Sequence, residues 1–381
     1  MKTVTLREIT LNITDGKHGD CEPAENSGYY FVSCKDVNNG TIDYANARQI
    51  SERAFLETHK RTQLEPNDIL ITNSGTIGRM ALVKDIPETY RTTFQKSVAI
   101  VKPDISVVLP TYLYYKLQNC VTDFVNCSNG SAQKNLLLGT MRKFQIDLHE
   151  DFTEQERLSS ILAAYDNLIE NNQRQIKLLE EAARRLYKEW FVDLRFPGYE
   201  DTPIVDGVPE GWEKVGLASI APIVTGKKDA NFGTPDGKYL FFTCAQEPIR
   251  APSYSFDCNA VILAGNGDFN VKLYRGQFEA YQRTYVFSPN ETKHLYLLYH
   301  AVRESMRQLF QGASGSTIKF LTKHMLEDIT VFVPDKDTLN AFKNVCDAIQ
   351  KKIECLKAQI MYSQESRDRL LPKLMSGEIE V

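Results

Sequence analysis

From Thr153 to Trp190 the chain repeats apolar positions alternately three and four residues apart. One row carries Leu158, Tyr165, Asn172, Leu179 and Leu186, and the other carries Leu162, Ile169, Ile176, Ala183 and Trp190. That period predicts a helix packed along its length against another helix. Thr153 and Glu156 are spaced as a capping box at its start, and Pro197-Gly198 stands beyond its end. The pattern returns 184 residues later, with Phe342, Ile349, Leu356, Ser363 and Leu370 in one row. Cys346, Ile353, Ile360, Arg367 and Leu374 form the other. Asn172, polar in an apolar seam, either fixes the register of the pair or reaches solvent at a loose point.

Shorter blocks ahead of each helix recur in the same order. Asp15-Gly16-Lys17-His18 matches Thr225-Gly226-Lys227-Lys228, and Tyr29–Cys34 matches Tyr239–Cys244, at an offset of 210. Ile69–Gly75 matches Val261–Gly267 at 192, and Gly130–Leu136 matches Gly315–Leu321 at 185. Offsets that shrink only where loops absorb the change indicate one unit used twice. Within each unit, short β-branched runs predict strands: Phe31–Cys34, Asp68–Thr72 and Ser97–Val101 in the first. Pro110 opens a predicted helix whose Tyr112–Tyr115 face is core, with a counterpart around Leu295–Leu309. A last strand, Phe144–Leu148 or Ile329–Val333, leads into each long helix.

The expected fold is an α/β (α+β) tandem duplication of two globules, each followed by a long helix. Packing the second helix back along the first buries both seams, giving an antiparallel coiled-coil spacer with pseudo-two-fold symmetry. The first helix would span about 57 Å at the usual rise per residue. The expected divisions are 1–151 and 193–336 for the globules, with 152–192 and 337–381 for the helical spacer.

Composition narrows the function. Hydrophobic content of 42 % and charged content of 25 % are those of a globular protein. No signal-like start or membrane-length apolar run is evident, so a cytoplasmic protein is expected. The eight cysteines form no Cys-x-x-Cys pair and read as reduced core thiols, and the six histidines do not cluster as metal ligands. Net charge is −4, and residues 1–150 hold 17 basic and 17 acidic side chains. An anionic partner would therefore meet local patches, not bulk charge. Phosphate-loop, dinucleotide, nucleophile-elbow and zinc-helix motifs are all missing, so no catalytic site, metal or cofactor is expected in this chain. His149-Glu150 reads as a solvated pair.

Several stretches resemble the specificity subunit of type I restriction–modification systems. They are Phe152–Leu158 (FTEQERL), Leu186–Phe191 (LYKEWF), Pro209–Trp212 (PEGW), Asp68–Gly78 (DILITNSGTIG) and Leu371–Ile379 (LPKLMSGEI). The resemblance covers essentially the whole chain. It departs at Ala264–Phe269 (AGNGDF), a looser version of the first unit's glycine turn. It implies two target recognition domains, each reading half of a split double-stranded DNA sequence. The helix pair would set their spacing and dock two methyltransferase subunits carrying S-adenosylmethionine. Motor–nuclease restriction subunits would join them, and this chain would do no chemistry and meet no membrane. A coiled-coil adaptor that bridges proteins without touching DNA is the alternative.

Base reading needs polar and cationic side chains on loops. The candidates in the first unit are Lys17, Lys35, Asn73, Arg79, Ser131, Gln133 and Lys134, with His18 beside them. In the second they are Lys227, Lys228, Asn266, Lys272, Arg275, Arg283, Ser316 and Lys319, with Gln246. The candidate spacer contacts are Leu158, Leu162, Tyr165, Ile169, Asn172, Ile176, Leu179, Leu186 and Trp190 on the first helix. On the second they are Phe342, Ile349, Ile353, Leu356, Ile360 and Leu370.

Overall fold

The computed structural model describes residues 1–38, 40–130, 134–267, 269–313 and 319–381. Two compact units emerge: one is built from two segments, Met1–Asn172 and Ala358–Val381, and the other is the continuous stretch Gln173–Lys357.

In the first unit, Thr10–Asp15, Val98–Pro103, Ile69–Thr72 and Met80–Leu82 form a sheet in that order, all antiparallel. A second sheet holds Arg48–Gln49, Tyr30–Val32 and Thr92–Phe94, the last two parallel. In the second unit the equivalent strands make one six-stranded sheet: Ile223–Thr225, Thr284–Phe287, Phe256–Ala264, Val271–Ala280, Tyr239–Phe242 and Ile249–Ala251. The reason is one strand. Val271–Ala280 pairs with Phe256–Ala264 by its first part and runs parallel to Tyr239–Phe242 by its last. In the first unit the matching residues are split between Met80–Leu82 and Thr92–Phe94 by an intervening loop, which divides the sheet. The opening strand pairs with the last one in each unit, Lys2–Thr5 with Gln145–Leu148 and Glu213–Gly216 with Thr330–Val333. Neither pairing was anticipated. Nor was the helix Glu52–Thr62, capped by Ser51, whose hydroxyl accepts from the Ala54 amide (3.3 Å).

The long helices run Phe152–Tyr187, closing in a π-turn at Lys188–Val192, and Lys336–Ser376. Asp151, not the Thr153–Glu156 box, caps the first: its carboxylate accepts from the Thr153 amide (2.9 Å). Asp335, 184 residues on, accepts from the Asp337 and Thr338 amides (2.9 Å each) and the Thr338 hydroxyl (2.6 Å). A carboxylate here also faces the positive end of the helix dipole. The residues before Asp151 correct a second expectation. His149 is buried, with Nδ1 2.8 Å from the Tyr112 hydroxyl, so it is part of the core and not solvated.

In the first unit the start of one helix meets the end of the other. Leu158 and Leu162 share a core with Leu374 and Met375. Further along, Arg367 donates to Asp166 (2.6 Å), whose other oxygen accepts from the Tyr115 hydroxyl (2.7 Å). Last, the Asn172 amide donates to Gln359 (3.2 Å). One set of numbers rises as the other falls, so the helices run antiparallel here. Asn172 is 2 % exposed, which excludes the solvent reading and fits a buried polar contact that fixes register.

In the second unit Tyr187, Trp190 and Phe191 surround Phe342, with ring centroids 6.3, 6.0 and 4.8 Å away. Of the candidate spacer residues, Leu158, Leu162, Ile169, Asn172, Phe342, Ile353 and Leu356 are buried. Tyr165, Ile176, Leu179, Leu186, Trp190, Ile349, Ile360 and Leu370 are half-buried. All eight cysteines are free. Cys21 and Cys346 are buried and the half-buried Cys120 and Cys258 pack against cores, but Cys127 and Cys355 are exposed, so the core reading does not extend to those two.

His300 sits in the aromatic cluster, 3 % exposed, stacked on Tyr187 (5.6 Å) and edge-on to Phe342 (6.1 Å). Burial, helped by the nearby Arg303 charge, drives its pKa down to about 3, so it is held neutral. An imidazole in the unfolded chain protonates near about 6.5. The stability that His300 contributes is therefore complete above that pH and is lost as pH falls toward 3. Replacing it in His300→Phe should flatten the acid limb of the urea midpoint between those limits while leaving stacking intact. An unchanged limb would assign acid sensitivity to other groups.

Candidate nucleic-acid interface

Strand ends gather five segments of the first unit in one place. The Gly16 amide donates to Val98 (3.3 Å), the Lys17 amide to Phe94 (2.8 Å) and the Lys96 amide to Lys17 (3.0 Å). The Gln95 amide donates to Val32, tying in the turn that holds Lys35 (2.9 Å). The Asn73 amide donates to Ser97 (3.0 Å), and the Leu136 amide to Asn73 (2.8 Å). Lys134 lies just before Leu136, and Arg79 closes the Asn73–Gly78 turn by donating its amide to the Thr72 hydroxyl (2.9 Å).

The second unit repeats this network. Gly226 donates to Thr284 (3.0 Å), Gln282 to Lys228 (2.9 Å) and Tyr281 to Phe242 (2.9 Å). Gly265 donates to Arg283 (2.8 Å), and Leu321 to Gly265 (2.8 Å). Asn73 and Gly265 thus hold the same backbone station, so Gly265 of the looser glycine turn makes the same junction as its counterpart. Gly16 and Gly226 are glycine because of close approach. A Cβ would lie 2.1 Å from the carbonyl oxygen of Phe94 or Ala280.

The electrostatics differ from those of the domain as a whole. In the first cluster Lys35, Arg79, Lys96 and Lys134 are exposed and Lys17 half-exposed. Two of the nearby carboxylates face inward, while Asp20, near Lys17, is exposed and pairs with Arg48 (2.5 Å). Asp15 is buried and paired with Arg61 and His18, and Asp36 accepts from the Ser33 amide (2.8 Å) and hydroxyl (2.7 Å). A neutral globule thereby shows cations on one loop cluster. In the second, Lys227 and Arg283 are exposed and Asn266 half-exposed. Lys228 lies 4.5 Å over the Phe232 ring and Lys319 3.9 Å over Phe310, positions that hold the ammonium groups near aromatic faces.

Three candidates do not fit. Asn73 is 4 % exposed, locked between two loops by its backbone, so its side chain does not reach the surface. The Lys272 ammonium donates to Ala245 (2.9 Å) and to Asn270, and burial lowers its pKa. Arg275 donates to Asp347 (2.9 Å) and to the Tyr296 hydroxyl, bracing the sheet against the second long helix. Burial works against the Asp347 charge. Hydrogen bonds from Lys343, Tyr296 and Arg275 nevertheless hold its pKa well below the carboxylate range. Ser131, Gln133 and Ser316 lie outside the described residues. Lys96 was missed. Its turn shares no sequence with Gln282, and only the hydrogen bonds reveal that the two correspond. Among the described residues, no group of three His, Cys, Asp or Glu side chains could hold a metal ion. No helix there is long and apolar enough to cross a membrane.

Comparison with known proteins matches these two networks to one domain. The family model for the type I restriction modification DNA specificity domain matches twice, at residues 14–181 and 209–357. The chain belongs to the type I restriction–modification specificity family. It is 25 % identical to the MjaIX specificity subunit of Methanocaldococcus jannaschii, over 92 % of this chain and 87 % of that one. To the EcoDI specificity subunit of Escherichia coli it is 36 % identical over 45 % of this chain, a match that spans 39 % of that protein. The crystal structure of a type I restriction–modification S subunit from M. genitalium shares the fold. It has a TM-score of 0.58 at 14 % identity, covering 98 % of this chain and 95 % of that one. The specificity domain is thus present twice in this chain, and each copy of the loop cluster lies inside a matched segment.

Proposed function

We propose that this chain is the DNA-recognition subunit of a type I restriction–modification complex and catalyses nothing itself. Each loop cluster meets one half of a split double-stranded target. The observation that carries this reading is the same backbone network built twice, each time displaying cations on a globule that is otherwise not basic. Residues 1–151 and 193–336 act as the target recognition domains, and 152–192 with 337–381 as the helical spacer between them. Two methyltransferase subunits dock on the chain, bring S-adenosylmethionine and methylate adenine. Restriction subunits complete the assembly in the cytoplasm. Two modest readers on one stiff spacer gain affinity through effective concentration if both can engage at once. Heads about 34–36 Å apart would meet the same face of the duplex. Lys17, Lys35, Arg79, Lys96 and Lys134, and Lys227, Lys228, Arg283 and Lys319, are the side chains assigned to phosphate or base edges.

Phosphate contacts release counterions, so each lost contact lowers the slope of log affinity against log salt by about 0.9. The double change Lys227→Ala with Lys228→Ala should therefore reduce that slope by about 1–2. Binding measured across a salt series on the cognate duplex reads this directly. An unchanged slope would remove both lysines from the interface.

A further inference from the structure

One of the differences between the two units leaves a space. In the first, residues 33–47 join Tyr30–Val32 to Arg48–Gln49. They fold into a small hairpin, Val37–Asn38 against Thr41–Ile42. That hairpin lies on the sheet beside Met80–Leu82, with Gly40 bridged to Ala81. Val37 is fully buried and packs with Ile42 against Val32, Leu70 and Ala81. On its other side, Gly40 abuts the hydroxyl of Tyr114, which an added Cβ would meet at 2.7 Å.

In the second unit the equivalent connection is residues 243–248, nine shorter, and has no hairpin. The walls remain. Lys272 stands where Ala81 does, each opposite the matching residue of the neighbouring strand, Ile262 or Leu70. Tyr299 stands where Tyr114 does. Between them is a cavity of about 370 Å3, lined by Leu240, Phe242 and Tyr274 on the sheet side and by Tyr299, Ile349 and Gln350 on the helix side. His300 also lines it, 3 % exposed, and its Nδ1 has no hydrogen-bond partner in the unit. A buried polar atom without a partner is costly unless something supplies one.

We infer that this cavity receives an extended segment of a methyltransferase subunit, which takes the place that the Val37–Ile42 hairpin fills in the other unit. The first unit shows what the walls accept: protein backbone in extended form, with aliphatic side chains directed onto the sheet. The incoming segment would bury an aliphatic anchor on Leu240 and Phe242 and offer a backbone group to His300. Extended peptides add to exposed protein grooves in this way, with backbone hydrogen bonds for affinity and pockets for selectivity. The inference rests on the assembly proposed above, and deepens it by naming a contact that only one of the two units can make. Docking through this cavity is therefore asymmetric, although the chain itself is duplicated.

Hydrogen exchange of the full chain with and without the methyltransferase subunit tests it. Binding should slow exchange at residues 240–248, 271–274 and 296–303. Two variants fill the space from opposite walls, Leu240→Trp and Gln350→Trp. Each should weaken methyltransferase binding about tenfold or more while leaving the salt dependence of DNA binding unchanged. Using both separates a filled cavity from a misfolded chain, because a folding defect in one need not appear in the other. Methyltransferase binding without protection at those residues, or binding within twofold of the parent by both variants, overturns the inference and leaves the DNA-recognition reading standing. Protection produced instead by the restriction subunit or by a second copy of this chain also overturns it. Failure of the parent chain to bind any methyltransferase subunit would sink both.

Discussion

Adding four residues after Asn172 should change the length of the unspecified spacer in the DNA target and leave both half-sites unaltered. Four helical residues add about 6 Å and roughly 40° of rotation beyond a full turn. Asn172 is the place to add them, because it is the buried polar contact of the helix seam in the first unit, held by Gln359. Neither loop cluster lies on the inserted segment, so both keep their local hydrogen bonds. Selection of bound duplexes from a pool with variable spacers would read the result. A variant that prefers altered half-sites would show that reading and spacing are not separable modules. One that keeps the parent spacer would show that the helices do not set it.

Phe342→Ala should lower the stability of the second unit by about 3–5 kcal/mol, the usual range for removing a buried phenyl ring from a core. Phe342 is 1 % exposed and lies among Tyr187, Trp190, Phe191 and His300. The cavity left would sit where the second long helix begins and the first ends, so little can collapse into it. At about 2–4 °C per kcal/mol for a unit of this size, the transition of the second unit should fall by roughly 6–20 °C. Two separated transitions are expected in calorimetry, since the first unit keeps its own core of Leu158, Leu162, Leu374 and Met375. A shift under 2 °C would mean that the aromatic cluster is peripheral to stability.

The parts of the structure that were legible in the sequence share a physical cause. The long helices announce themselves because a seam must repeat every three and four residues, and no other arrangement of the chain requires that. The duplication was legible because glycines and strands that perform the same job were placed in the same order. Gly16 and Gly226 are the clearest case, since any larger residue would collide with a carbonyl.

What could not be read depends on tertiary partners. Asn73 has the composition of a loop residue, yet its backbone joins two other loops and buries it. Arg275 and Lys272 look like surface cations, but the first meets Asp347, 72 residues away, and the second the Ala245 carbonyl. His149 became a core residue through Tyr112. Asp151 displaced the expected capping box because its carboxylate, one residue outside the helix, reaches the Thr153 amide first. In the loop clusters, polar residues are common and only position decides their role. Lys96 shows this most plainly, because neither its neighbours nor its counterpart Gln282 mark it in sequence.

The central claim is that this chain chooses the DNA sequence modified by a methyltransferase. Mapping methylated adenines across the genome of a host with and without this gene tests it most directly. The account predicts that N6-methyladenine disappears from one split, asymmetric motif when the gene is removed, and that every other methylated motif is retained. A methylome that is unchanged, in a host where the partner methyltransferase is present and active, would contradict it.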